Sequence, residues 1–174
     1  VPIGEIGELA MAGPQIMVGY HNQPEETADA LKEQEGKRWL FTGDIARMDE
    51  DGYFYIVDRK KDMALIGGFN VFPTNVEKVL VEHPAVLEAA VAAIPHPGKA
   101  GLEALKVWIV VRDGASVTTE ELVAHARKYL APYEVPTRYA FIDSLPKTTV
   151  GKTLRRELIR LDTHTTQETP AIEV

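Results

Sequence analysis

Three short segments of this 174-residue chain place charged side chains beside small, flexible residues, an arrangement that a buried core does not require. The first is Phe41-Thr42-Gly43-Asp44, in which a carboxylate follows a hydroxyl across a glycine. A carboxylate has two acceptor oxygens and can bind both hydroxyls of a ribose. The same residues are typical of a turn in which Asp44 caps its own backbone. The segment alone therefore predicts either a ribose site or a turn.

The second segment joins five consecutive charged residues, 58–62, to a glycine pair, Gly67 and Gly68, and then to Phe69. A glycine backbone can approach a ligand closely and can change its dihedral angles, so the pair predicts a loop that contacts a ligand. The alternative is an ordinary turn that follows a solvated link at a domain boundary.

The third segment, residues 145–152, is rich in Pro, Thr and Gly and carries Lys152 just before a predicted helix. An ammonium group on a long side chain can reach a carboxylate or phosphate and neutralise charge that develops there. The segment is not a P-loop, because Gly151 has no glycine five residues before it. The alternative is a basic helix start that faces an anionic lipid or phosphate group.

The composition argues against several other chemistries. A formal net charge of −7 disfavours nucleic acid as a partner. The absence of cysteine removes disulfides, thiolate zinc sites and cysteine nucleophiles. None of the five histidines pairs at the i, i+4 spacing of a helical metal site, so we expect no metal ligands here. No apolar run approaches a membrane span, and the start at Val1 leads us to expect a piece of a longer protein.

Charge and element type divide the chain into two predicted units. Residues 1–57 carry 11 acidic and 4 basic side chains, whereas residues 58–174 carry 15 of each. The first unit is predicted to contain short strands at 5–11, 16–20, 40–48 and 53–57. One helix is predicted at 24–35, because Pro24 suits a first helical position and Gly36 suits a stop.

The second unit alternates helices with strands, which predicts an α+β fold. Apolar spacing predicts helices at 74–83, 118–130 and 153–161, and strands at 86–94, 105–112 and 138–142. Thr74 with Glu77, and Thr118 with Glu121, have the spacing of a capping box, which predicts both helix starts. Residues 163–174 show no periodicity and are predicted to be a flexible tail.

In order and spacing, these segments resemble the adenylate-forming superfamily of acyl-CoA synthetases, luciferases and peptide-synthetase adenylation domains. The resemblance covers residues 3–160. The matching residues are Gly4-Glu5-Ile6-Gly7-Glu8-Leu9 with Gly13-Pro14, Gly19-Tyr20, Thr42-Gly43-Asp44, Asp51-Gly52-Tyr53, Asp58-Arg59-Lys60-Lys61-Asp62, Gly68-Phe69-Asn70-Val71-Phe72-Pro73, and Pro146-Lys147 with Gly151-Lys152. Within the superfamily, residues 58–63 and 68–73 are most similar to bacterial long-chain fatty acid CoA ligases.

This resemblance implies an α+β fold in two parts. Residues 1–57 would be the end of the large N-terminal AMP-binding domain, made of short, barrel-like β-strands. Residues 58–62 would be the hinge, and residues 63–162 the small, mobile C-terminal lid domain. The phosphate loop and the acyl pocket of the family belong upstream of Val1, so we expect this chain alone to be inactive.

The resemblance also implies a two-step ligase reaction. ATP and a fatty acid give an acyl-adenylate and pyrophosphate, and the thiol of coenzyme A then displaces AMP. Asp44 matches the residue that binds the ribose hydroxyls, Arg59 lies near the ribose and phosphates, and Lys152 matches the adenylation lysine. Lys61 falls at the hinge, about which the domain turns so that the loop of Gly67, Gly68 and Phe69 replaces Lys152. Gly67 stands where the compared ligases often carry Ser.

The implied cofactors are ATP or AMP, coenzyme A and Mg²⁺, whose ligands we expect in the upstream domain. The implied location is cytoplasmic, with peripheral membrane contact of the full-length enzyme as a further expectation. Alternatives are another adenylate-forming ligase (a medium-chain or aryl acyl-CoA synthetase, or a carrier-protein adenylation domain) and a non-catalytic nucleotide-binding module. A standalone module that binds anions through its basic patch is a third alternative.

Overall fold

Two structural units, residues 1–61 and 62–174, follow one another along the chain. The computed structural model describes residues 1–162 of the sequence. The predicted tail, residues 163–174, lies outside the described residues. Strands and helices occur in both units, so the predicted α+β class is confirmed.

The first unit is an antiparallel sheet arranged around one long strand. Its elements are β1 (Ile6–Ala12), α1 (Pro24–Ala30), β2 (Leu31–Gln34), β3 (Lys37–Met48) and β4 (Phe54–Arg59). Strand β1 pairs with one edge of β3, whereas β2 and β4 share the other edge, β2 near the start of β3 and β4 near its end. The central strand is therefore paired on both sides near its start and near its end, and the residues between, 41–44, lie at an irregularity of the β1–β3 pairing.

Two predictions for this unit are wrong. Residues 16–20 form bends rather than a strand, and the Tyr20 amide donates to the Thr27 hydroxyl at 2.9 Å. The predicted helix 24–35 ends at Ala30, because Leu31–Gln34 pairs with β3 as a strand. Glu35 and Gly36 both have positive φ, 52° and 71°, and form the two-residue turn of this hairpin rather than a helix stop. Strand pairing here overrides a helical pattern.

The charged run 58–62 is ordered structure rather than a solvated link. Asp58 and Arg59 end β4, and Lys60–Asp62 forms a short 3₁₀ helix. The Asp58 side chain is buried, and its Oδ1 accepts a hydrogen bond from the Arg59 amide at 2.8 Å. The border between the units falls at Lys61, and the hinge role of this lysine stays a prediction.

The second unit contains a small hairpin, a three-stranded sheet and three α-helices. Its elements are β5 (Ala64–Ile66), β6 (Phe69–Val71), α2 (Pro73–Val81), β7 (Val86–Pro95), β8 (Glu103–Val111), α3 (Thr119–Ala126), a 3₁₀ helix (Pro132–Glu134), β9 (Arg138–Phe141) and α4 (Arg155–Asp162). Strands β7 and β8 are antiparallel, whereas β8 and β9 are parallel. A parallel pair needs a crossover connection, which α3 provides. The three predicted strands and three predicted helices are confirmed with small shifts of their ends.

This sheet has a core on each face, because successive residues of a strand point to opposite sides. Val107 and Ile109 pack with residues of α2, α3 and the β5–β6 hairpin. Trp108 and Val110 pack with Leu145 and with Leu158 of α4. Strand β8 therefore lies between two helical layers.

Only one of the two predicted capping boxes forms. Thr118 and Glu121 exchange the expected hydrogen bonds, with the Glu121 amide donating to the Thr118 hydroxyl at 3.2 Å. The prediction of a capping box at Thr74 is wrong, because α2 begins at Pro73 and no side chain caps the start of this helix. Proline suits a first helical position, since its missing N–H would have no partner there. The Glu77 carboxylate is engaged elsewhere in the unit.

Candidate functional site

Strand register brings Asp44 and Arg59 together in the first unit. The two residues are opposite one another in the antiparallel pair of β3 and β4. Arg59 Nε lies 3.1 Å from Asp44 Oδ1, and the two side chains are 55% and 27% exposed. An exposed ion pair contributes little stability, so ligand hydroxyls can compete for this carboxylate. The pair places a carboxylate acceptor beside a guanidinium group.

Thr42 and Gly43 determine how Asp44 is presented. The Thr42 hydroxyl donates to the Leu9 carbonyl at 2.9 Å and accepts from the Asp44 amide at 3.1 Å. Gly43 has a φ of +73°, a backbone conformation that favours glycine. The segment is thus an irregular part of a 12-residue strand. The alternative of a turn in which Asp44 caps its own backbone is wrong.

The connection between β3 and β4 is stabilised by Asp49. Its Oδ1 accepts from the Tyr53 amide at 2.9 Å and from the Asp51 amide at 3.0 Å. The Tyr55 hydroxyl donates to Oδ2 at 2.8 Å. These hydrogen bonds, the Tyr53 amide first, hold the pKa of Asp49 below its usual value because they favour the charged carboxylate. The same hairpin joins β3 to β4, and a register shift between Ile45 and Ala46 then places Asp44 opposite Arg59.

Lys152 lies in an exposed turn of the second unit. The Thr148 amide donates to the Lys152 carbonyl at 2.8 Å, and the Lys152 amide donates to the Thr148 hydroxyl at 3.1 Å. Lys147 and Thr153 form an isolated antiparallel bridge that closes the turn. The backbone at Lys152 is therefore held, while its side chain is exposed. We call residues 146–154 the lysine turn.

Gly67 and Gly68 form the tip of the β5–β6 hairpin, which the sequence prediction treated as a loop. Both have positive φ, 59° and 87°, as a two-residue hairpin turn requires. Phe69 stacks on Tyr133 with ring centroids 4.4 Å apart, yet it stays 55% exposed. A cavity of about 370 Å³ opens beside Gly67, between the hairpin and the 3₁₀ helix that contains Tyr133. We call residues 64–71 the glycine hairpin.

The lysine turn and the glycine hairpin lie near opposite ends of β7. Lys147 forms an ion pair with Glu88, near the start of this strand. The Leu65 amide of the hairpin donates to Glu103 at 2.7 Å, and Glu103 is paired with Pro95 at the end of the strand. Along β7, Glu88 and Pro95 are seven residues apart, which at about 3.3 Å per residue is roughly 23 Å. The second unit therefore presents its two candidate loops in different places.

Sequence reasoning missed one cluster, around Arg155. Its guanidinium binds both oxygens of Glu77, with Nη2 distances of 2.7 and 2.8 Å, and its Nε donates to the Val91 carbonyl at 3.1 Å. The Val91 amide donates to Glu77 at 2.8 Å, and Asp62 lies 3.6 Å from Arg155 Nη1. The contacts join residues up to 93 positions apart in sequence, so no local spacing could reveal them.

Within residues 1–162, no group of three His, Asp or Glu side chains is arranged to hold a metal ion. In the same residues, no helix has the length and apolar character needed to cross a bilayer.

Comparison with known proteins finds a family model and several enzymes that are similar to this chain. Residues 75–152 match the family model described as AMP-binding enzyme C-terminal domain. The chain is 50% identical over 159 residues to a long-chain-fatty-acid–CoA ligase of Bacillus subtilis, and 52% identical over 158 residues to one of Yersinia pestis. Each match covers 91% of this chain and 27% of the relative. The chain thus spans about a quarter of the length of these curated relatives.

A solved structure supports the fold independently. The ATP-bound structure of MatB from Rhodopseudomonas palustris superposes with a TM-score of 0.83 at 31% sequence identity. The match covers 92% of this chain and 31% of that structure.

Proposed function

We propose, from the match of residues 75–152 to the AMP-binding enzyme C-terminal domain model, that this chain is the C-terminal part of a fatty acid CoA ligase. The full-length enzyme would join a long-chain fatty acid to coenzyme A in two steps. The carboxylate first attacks the α-phosphorus of ATP, which releases pyrophosphate and leaves an acyl-adenylate. The thiol of coenzyme A then attacks the acyl carbon, loses its proton and releases AMP.

The observation that carries this proposal is the separation of the lysine turn from the glycine hairpin along β7. The two steps of such a reaction need different groups at the active site. One small domain can supply both groups from different loops if it rotates between the steps. The border of the unit at Lys61 is consistent with a rotation about this residue. The identity of about 50% to long-chain-fatty-acid–CoA ligases supports a fatty acid as the substrate.

In the first step, Lys152 would bridge the fatty carboxylate and the α-phosphate. Negative charge accumulates between these groups as the new bond forms, so a cation placed there stabilises the transition state more than the ground state. An exposed ammonium on a turn with a fixed backbone suits this role. Its side chain can enter another domain while the turn keeps its shape.

The nucleotide would bind at the Asp44–Arg59 pair. The Asp44 carboxylate would accept hydrogen bonds from the two ribose hydroxyls. Arg59, 3.1 Å away, orients this carboxylate and adds a positive charge near the phosphates. The direct pairing of Asp44 with Arg59 across β3 and β4 provides a support for such contacts.

The glycine hairpin would serve the second step. A tip of two glycines leaves open space, because a Cβ built at either position has no atom within 4 Å. The backbone can therefore lie close to the pantetheine chain of coenzyme A. Mg²⁺ would be held by the upstream domain that the resemblance implies.

The test is pyrophosphate release by the full-length enzyme with carboxylic acids of increasing chain length. We expect release that depends on a long-chain fatty acid, followed by a coenzyme A ester when coenzyme A is added. The 174-residue chain alone should release none. Preference for an aromatic acid, or adenylate formation with transfer only to a carrier protein, would contradict the proposal in favour of its alternatives.

A further inference from the structure

The Glu77–Arg155 ion pair occupies the free edge of β7. This strand is paired with β8 on one side only. At Val91, which is fully buried, the amide donates to Glu77 and the carbonyl accepts from Arg155. Buried backbone groups need partners, and here two side chains take the place of a neighbouring strand. The ion pair is thus required by the backbone of β7.

Arg155 also stands at the junction between this edge and the lysine turn. It is the first residue of α4 and lies three residues after Lys152. The Leu154 amide donates to the Pro146 carbonyl at 2.8 Å, which closes the turn at the same point. A displacement of Arg155 would therefore be transmitted to Lys152 through two intervening residues.

The third contact of Arg155 is Asp62, the first residue of the second unit. Asp62 follows Lys61 directly, so the cluster joins the start of the unit to the start of α4. The side chains of Arg155 and Glu77 are only 23% and 17% exposed, which limits screening by solvent.

We propose that Arg155 is a positioning residue for Lys152. Through Glu77 and the Val91 carbonyl, it holds the start of α4 and therefore the lysine turn. Through Asp62, it keeps that turn in a constant position relative to the residue that follows the border at Lys61. The inference rests on the proposed role of Lys152, because only then does the position of the turn affect the first half-reaction.

The chemistry of the cluster requires arginine rather than lysine. Arg155 makes parallel contacts with both oxygens of Glu77 and a further contact with Val91. A planar guanidinium can do this, whereas an ammonium is a point charge on a flexible stem. An Arg155→Lys change should keep the attraction to Glu77 but lose the fixed geometry.

The first experiment measures amide hydrogen exchange in the full 174-residue chain. In Arg155→Gln, the amides of Gly151, Lys152 and Leu154 should exchange about tenfold faster or more, because a partner of buried backbone is lost. Amides of β8 should keep their protection. Arg155→Lys should give an intermediate result, and Arg156→Gln, at the exposed neighbouring residue, is the matched control and should change nothing.

The second experiment measures both half-reactions in the full-length enzyme. Arg155→Gln should lower the turnover of adenylate formation about a hundredfold, the effect of misplacing a reacting group by about 1 Å. The KM for ATP, and thioester formation from a supplied acyl-adenylate, should stay unchanged. Glu77→Gln should act similarly, and the double variant should be no worse than either single variant.

The two experiments separate failure of this inference from failure of the proposed function. Unchanged exchange in the lysine turn of Arg155→Gln, or equal loss in both half-reactions, would overturn the positioning role. A wild-type full-length enzyme that forms no acyl-adenylate would overturn the proposed function, and with it the role of Arg155 toward catalysis.

Discussion

Asp44 and Lys152 are held in place by two different kinds of structure. Asp44 belongs to a 12-residue strand and is paired with Arg59 of β4, so backbone pairing sets its position. Lys152 belongs to an exposed turn that comes just before Arg155, which we propose holds it in place through its ion pair with Glu77. A strand position tolerates the loss of one side chain nearby. A turn that depends on a few long-range contacts does not.

This difference suits the two proposed roles. A nucleotide that stays bound through both steps needs a rigid support, which paired strands provide. A lysine that acts only in the first step must be carried into place and away again, so it belongs on a part of the chain that moves as one body. The predictions below test this comparison, beginning with the largest effect.

The largest effect is expected for Lys152→Ala in the full-length enzyme. Loss of a cation worth about 4 kcal/mol in the transition state should slow adenylate formation roughly a thousandfold. Thioester formation from a supplied acyl-adenylate should be spared, as single-turnover assays of each half-reaction would measure. Lys128→Ala, at an exposed lysine after α3, is the control. Equal loss in both half-reactions would assign Lys152 a structural role instead.

A change at Lys61, the border between the units, should slow the second half-reaction and spare the first, the opposite of the effect expected for Lys152→Ala. Proline at Lys61 restricts φ to about −65° and removes an amide donor, so a residue that must change dihedral angles is held in one state. Adenylate formation should persist in Lys61→Pro, while thioester formation falls about a hundredfold. Lys61→Ala should leave both steps intact. An unchanged ratio of the two rates in the proline variant would show that Lys61 is not the hinge.

A smaller effect is expected at the strand-held site. Asp44→Asn removes the charge that would bind the ribose hydroxyls, and hydrogen bonds to charged groups contribute about 1.5–3 kcal/mol. The KM for ATP should rise about tenfold or more, whereas circular dichroism should show an unchanged fold because the strand pairing remains. Asp51→Asn, in the exposed turn after β3, should have no effect. An unfolded Asp44→Asn protein would contradict the view that the sheet alone holds this position.

The two helix starts offer a comparison within the second unit. Thr118→Ala should lower the free energy of unfolding by about 1 kcal/mol, because its hydroxyl caps α3. Thr74→Ala should lower it by less, because no side-chain cap of α2 is lost. Urea denaturation of both variants would measure this. Equal losses would show that Thr74 supports α2 through contacts other than a cap.

The smallest effect concerns pH and the hairpin that pairs Asp44 with Arg59. The pKa of Asp49 is lowered in the folded state, so the charged carboxylate stabilises the fold. This stabilisation is fully present above the pKa of the unfolded chain and is lost as pH falls through the pKa of the folded protein. The β3–β4 connection should therefore loosen only below the usual pKa of aspartate. Carboxyl chemical shifts would report this titration, and Asp49→Asn should remove the pH dependence. A midpoint at or above the usual value would contradict it.

The sequence predicted elements well wherever their reason was local. The helices and strands of the second unit follow from apolar periodicity, and the Thr118 cap follows from a spacing of three residues. Predictions failed where strand pairing or a tertiary side-chain contact overrode the local pattern. Leu31–Gln34 continues a helical pattern but pairs with β3, and Glu77 has the position of a capping residue but binds Val91 and Arg155.

The sequence by itself determined which residues could do chemistry: Asp44, Arg59, Lys152 and the pair Gly67-Gly68 were identified from residue type, spacing and resemblance. Only the tertiary structure decided how these residues are grouped. It paired Asp44 with Arg59 through strand register, placed the lysine turn and the glycine hairpin near opposite ends of β7, and brought Arg155 to Glu77. The physical reason is the sequence distance over which each interaction acts. Caps, turns and periodicity depend on a few neighbouring residues, whereas strand register and partly buried ion pairs depend on segments that meet only when the chain folds.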